Sequence, residues 1–181
     1  NVDGALHKLG SGLASFYGNN TIPNAVFLDE GSLLVGSSDA LGSQDLQAAD
    51  GVQLLYVVDS ATNVVQAGNL YITTPAQEVT LSGNIGGEGG SLVKKGVAKL
   101  ILTGTANEPV GMTIEQGRVD VDGSSTGNIE VLAKGTLGGS GSIAGDVTVL
   151  GSLVGGVSIG GDVDVSAGGT IKAGNSCGTI A

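Results

Sequence analysis

The chain has 181 residues, among them 34 Gly, 3 Pro and no Trp, and it carries a formal charge of −10. Hydrophobic residues make up 40% and aromatics only 3%, so a thick core filled with aromatic volume is excluded, as is collagen, because the glycines follow no G-X-Y period. The acidic balance, with Lys and Arg at seven positions, disfavours nucleic acid or an anionic membrane as partner.

The predicted elements are short. Apolar-x-apolar units recur along the chain as Leu70-x-Ile72, Val79-x-Leu81, Leu100-x-Leu102, Met112-x-Ile114, Val119-x-Val121, Ile129-x-Val131 and Val157-x-Ile159. Alternation at period two marks strands with one buried face. Gly, Ser, Asn and Asp between them mark corners, because glycine accepts positive φ at little steric cost. No long helix is predicted, and only Ala40–Ala49 could wind for a turn or two, weakened by Gly42. No apolar run approaches the roughly 18 residues of a membrane span.

Two internal repeats set the architecture. Residues 4–38 match residues 90–124 at an offset of 86 without a gap: Gly4 with Gly90, Leu6 with Leu92, Lys8 with Lys94, Gly10 with Gly96, Pro23 with Pro109 and Gly31 with Gly117. Leu28 falls opposite Ile114, Leu33 opposite Val119 and Val35 opposite Val121, and all six are expected to point inward along with Leu6 and Leu92. Near the end, Ser142–Val149 recurs as Ser158–Val165 at an offset of 16. Such periods predict a solenoid in which each strand stacks on the coil below. A rung of about 20 residues gives eight or nine rungs and a rod near ~40 Å long. The chain is expected to be one β-helix segment, with repeat copies at 4–42 and 90–180 and connecting rungs at 43–82.

Candidate chemistry is sparse. His7 and Cys177 are the only residues of their kinds and lie far apart, so neither a disulfide nor a zinc site is predicted. Gly139-Ser140-Gly141-Ser142-Ile143-Ala144 has the letters of a dinucleotide loop but is followed by β-branched residues and Gly145 rather than a helix. Asp120 and Asp122 flank Val121, with Arg118 in line, and Asp162 and Asp164 flank Val163. Each pair should project from one strand face, either as carboxylates of a carbohydrate-active groove or as charges that keep a β surface soluble. No catalytic, cofactor or metal residue is assigned, and the chain is not expected to be an enzyme.

The segments Val131–Val149 and Ala167–Ile180 resemble the passenger-associated repeat of bacterial autotransporters. Ser91-Leu92-Val93-Lys94-Lys95-Gly96, running on to Leu100-Ile101-Leu102-Thr103-Gly104, resembles the opening of the same repeat. Residues 6–35 are similar to a weaker copy. Ala173 and Cys177 stand where the family usually has Pro. The resemblance implies an all-β, right-handed parallel β-helix, cut from a longer passenger that is exported through the periplasm and outer membrane. It further implies a C-terminal outer-membrane barrel in the same polypeptide and a place on the cell surface or in the secreted fraction. The implied function is an adhesive stalk of an adhesin or virulence factor, meeting a host-cell surface or a second copy. A folding segment that promotes secretion and a carbohydrate-active β-helix are the alternatives.

Overall fold

A computed structural model describes residues 4–87, 89–104 and 111–172. These residues form an all-β parallel solenoid of about eight turns, in which every paired strand runs parallel to its neighbour. Strands of two walls, A and B, alternate through the early turns, and a third wall, C, joins them from β9 (Val79–Leu81) onward. Wall A stacks β1 (Leu6–Lys8), β3 (Val26–Leu28), β5 (Leu46–Ala48), β7 (Val64–Gln66) and β10 (Ile85–Gly87). Wall B stacks β2 (Leu13–Phe16), β4 (Ser32–Val35), β6 (Val52–Tyr56), β8 (Leu70–Thr73) and β11 (Ser91–Lys95). It continues through the first parts of β13 (Gly111–Val121) and β15 (Asn128–Gly138) to β17 (Val147–Val149) and β20 (Val163–Val165).

Wall C holds β9 (Val79–Leu81), β12 (Lys99–Leu102), the second parts of β13 and β15, β18 (Ser152–Val154) and β21 (Thr170–Lys172). The two long strands cover both walls by bending, and a register irregularity between Ile114 and Gln116 marks the bend. A short ladder of β14 (Ser124–Ser125), β16 (Ser142–Ile143) and β19 (Ser158–Ile159) sits between walls C and B in the later turns. The segment Ala40–Ala49, which could have wound for a turn or two of helix, makes a hydrogen-bonded turn and then β5. Ala40 and Leu41 are plugged into the core there, so tertiary packing overrides a weak helical preference.

Period-two alternation does what it predicts. On wall B one inward column runs Leu33, Leu54, Ile72, Lys94, Ile114, Val131 and Val149, each fully buried. The outward neighbours in the same strands are Ser32, Gln53, Tyr71, Val93, Thr113, Glu130 and Thr148. Aliphatic side chains fill a core only a few residues across, which is why so little aromatic volume is needed.

The 86-residue repeat holds in register. Leu6 pairs with Val26 and Leu92 with Met112; Leu13 pairs with Ser32 and Lys99 with Arg118. The copies do not occupy the same wall, however. Wall A climbs from Leu6 to Ile85, and Leu92 lies one corner further on, in wall B. The offset is therefore four turns plus one wall, so the two copies are screw-related units rather than vertically aligned rungs. Turns of different length permit this: Leu70 to Leu92 takes 22 residues and Val147 to Val163 takes 16. Residues 105–110 in the middle of the second copy, including Pro109, and residues 173–181, including Ala173 and Cys177, lie outside the described residues.

Among the described residues, three polar side chains in the core have buried atoms without a hydrogen-bond partner: Tyr56, Gln66 and Ser125. Burial raises the Tyr56 phenol pKa above its ordinary value. Gln66 faces inward on wall A between Ala48 below and Gly87 above, so its bulk fills space that two small neighbours leave. Its amide gains nothing for the hydration it gives up. Gln66→Met keeps the volume and removes the unpaired amide, and it should stabilise the fold by about 1–2 kcal/mol. Urea unfolding of the two proteins checks this; a loss of stability would mean that the amide is satisfied in solution.

Candidate functional site

The 86-residue repeat carries a conserved local device at its Lys-x-Gly step. Lys94 is fully buried in an apolar column, between Ile72 and Ile114. Its Nζ donates to the carbonyls of Lys95 (2.7 Å), Gly96 (2.8 Å) and Gln116 (3.3 Å). Lys8 repeats the arrangement, donating to Leu9 (3.2 Å), Gly10 and Glu30 (2.9 Å). Each acceptor in one copy is the 86-residue mate of an acceptor in the other. The carbonyls belong to the glycine corner of the same turn and to the corner of the next, so one ammonium ties two successive turns. The carbonyls replace only part of the lost hydration, and burial pulls Lys94 down to about 8. This is a structural use of lysine, turned away from solvent.

The acidic residues singled out in sequence are separated in the fold. Asp120 lies on the outer face of wall C, where Arg118 Nε donates to it at 2.7 Å and Lys99 Nζ approaches at 3.5 Å. Lys99 also binds Glu78 at 2.7 Å; that hydrogen bond, with help from Asp120, raises the Lys99 pKa above its ordinary value. Asp122 instead caps a corner, accepting from the Ser140 N–H (2.8 Å) and hydroxyl (2.9 Å) one turn up. The expected common face is thus replaced by an ion-paired residue and a corner cap, because the chain turns at Gly123 rather than continuing as strand.

Corner capping of this kind is widespread. The backbone N–H of Asn69 donates to Asp50, that of Ser91 to Asn69, that of Asp146 to Asn128 and that of Asp162 to Asp146. In each case an Asp or Asn in one turn accepts an N–H from the next. This explains why Asp and Asn recur at corners, and it assigns Asp162 to a structural column while Asp164 projects outward on β20. The segment Gly139–Ala144 runs from the end of β15 into β16, and no helix opens there.

Wall A carries a grouping that sequence reading missed. The His7 ring stacks on Phe27, with centroids 4.5 Å apart, and Nδ1 meets Asp29 at 2.9 Å. Phe27 and Asp29 lie one turn above His7, and the turn length that brings them together is not written in any motif. A shallow groove of about 400 Å³ runs beside this pair, lined by Asp29, Gln47, Ala49, Val65 and Ala67. A second, wider one of about 590 Å³ is lined by Asn19, Ser38, Asp39, Gln44, Asp45 and Asn63. The second offers short polar groups, whereas the first is walled mostly by Phe27, Ala48, Ala49, Val65 and Ala67. Among the described residues no three of His, Cys, Asp and Glu gather as a metal-ligand set. Compared with protein-family models, curated proteins and solved structures, the chain finds no match in any of the three.

Proposed function

We propose that this chain is a β-solenoid stalk and interaction surface of the autotransporter-passenger type, displayed outside a bacterial cell and binding through weak polar contacts repeated along its length. The observation that carries this reading is the Leu-x-Lys-x-Gly step, which resembles the opening of the passenger repeat. At both copies it builds the same two-turn tie, Lys8 in wall A and Lys94 in wall B. The outward columns supply mainly Ser, Thr, Gln and Glu, with Tyr71 and Val93 among them, and the wider groove supplies Asn and Asp. A single tight hot spot ordinarily uses Trp, Tyr or Arg, whereas repeated weak contacts gain strength through multivalency.

The test compares the monomeric chain with a multivalent bead display of it on host cells. Binding by the display, with none measurable for the monomer, is the expected result. Nanomolar binding by the monomer would point to a specific pocket. Absence of binding by both would remove the adhesive role.

A further inference from the structure

We propose that Arg118, on the outer face of wall C, is a binding site for a sugar carboxylate: one uronate in an otherwise neutral glycan lying along the rod. The inference rests on the reading of the walls as a weak-contact surface and names the chemistry that one of them accepts. It starts from a glycine that no corner requires. Gly138 is the buried last residue of β15, still in register with Asp120, and it lacks the positive φ that begins the corner at Gly139. Glycine in a strand often marks a close approach, and here the approach is that of a guanidinium. A Cβ on Gly138 would sit 2.7 Å from Arg118 Nη2, 3.3 Å from its Cζ and 2.7 Å from Asp120 Oδ1. The bare backbone therefore lets the Arg118 head lie over the next turn, with Nε donating to Asp120 at 2.7 Å.

Three features make this more than an ion pair. The first is orientation. The Arg118 side chain is 39% exposed and that of Asp120 10%, so the guanidinium opens outward while its anchor is covered. Nε alone is engaged; neither Nη makes a hydrogen bond among the described residues, which leaves the paired donors that match a carboxylate. The second is charge. Lys99 already lies between Glu78 (2.7 Å) and Asp120 (3.5 Å), so Arg118 is not needed to neutralise Asp120. Lys134, exposed where the chain bends into the same wall, forms no ion pair among the described residues. This local surplus of cations suits one carboxylate, whereas the net charge of −10 repels a polyanion. The third is the column above. Arg118 is followed by Thr136 and then Ser152, one hydroxyl per turn at about 4.8 Å. That rise is close to the length of one pyranose unit, so neutral sugars meet hydroxyls while the acid rests on Arg118.

The probe is an oligosaccharide carrying one glucuronate among neutral sugars, with its methyl ester as the uncharged control, titrated into the full 181-residue chain labelled with 15N. The acid should bind with a dissociation constant on the order of 1 mM, shifting the amide signals of Arg118, Asp120 and Thr136, and the ester about ten-fold more weakly. Arg118→Lys keeps the charge but loses the planar pair of donors, and should weaken binding of the acid several-fold. Lys134→Gln, an exposed change, should weaken it two- to three-fold at an unchanged melting temperature, and it keeps the test decisive if Arg118→Lys unsettles the fold. Equal binding of acid and ester, or variants that bind the acid as tightly as the wild type, would overturn the proposal. No binding of the acid would overturn it too; if the multivalent display still held host cells, this site alone would fail and the adhesive reading would stand. Bound acid without any host-cell binding would support the site and remove the host-cell role.

Discussion

Lys94→Ala is expected to lose about 3–5 kcal/mol of folding stability, the range for breaking a buried charged contact and leaving a cavity. Three part-buried carbonyls lose a charged donor at once, and the column from Ile72 to Ile114 loses its middle. Lys8→Ala should cost about 1 kcal/mol, because its acceptor carbonyls belong to exposed residues and can turn to solvent instead. The pH dependence gives an independent check. Lys94 titrates near 8 when folded and near 10.5 when unfolded, so between those values the unfolded chain binds more protons. Wild-type stability from this group therefore rises from pH 8 to pH 10.5 and is at its lowest below pH 8. Lys94→Ala lacks that rise, so the cost of the substitution should grow across the window in paired urea titrations. A cost that stays constant would mean that the carbonyls hold the ammonium as well as water does.

Gly117→Ala should cost at least about 3 kcal/mol, while Gly51→Ala should cost about 1 kcal/mol, although the two glycines share nearly the same backbone conformation. Both have positive φ, 79° and 76°, so each alanine meets the same intrinsic penalty of about 1–2 kcal/mol. They differ in what lies underneath. A Cβ on Gly117 would come within 2.4 Å of the Gly96 carbonyl and 2.9 Å of that of Val97, whereas one on Gly51 meets nothing within 4 Å. The Gly96 carbonyl is also one of the acceptors of Lys94, so forcing it aside disturbs the tie between turns. Gly31, the 86-residue mate of Gly117, should behave similarly, since its Cβ would come within 2.6 Å of the Gly10 carbonyl. Thermal melts of the alanine variants measure these differences. Equal losses at Gly117 and Gly51 would show that stacking between turns is looser than the carbonyl distances imply.

Short-range pattern was enough to read the solenoid. Apolar-x-apolar units at Leu70, Val79, Leu100, Met112 and Ile129 all became strands with those residues inward. The offset of 16 between Ser142–Val149 and Ser158–Val165 is the literal pairing register of β16 with β19 and β17 with β20. Those features were legible because they depend on residues close in sequence: side-chain alternation is fixed by strand geometry, and glycine corners by local φ. The acidic pairs were misplaced for a related reason. Alternation puts Asp120 and Asp122 on one face only while the strand continues, and β13 ends at Val121.

What the sequence determined by itself was the direction of each side chain and the existence of stacked turns. The tertiary structure decided which wall each turn occupies, and hence which side chains from different turns meet. The placement of the 86-residue copies on adjacent walls, the stacking of His7 on Phe27 and the meeting of Glu78, Lys99 and Asp120 all depend on it. The physical reason is that turns of 16 to 22 residues close on the same triangular path by taking up slack in their corners. A shift of one wall leaves every inward and outward assignment unchanged, so no local pattern can record it.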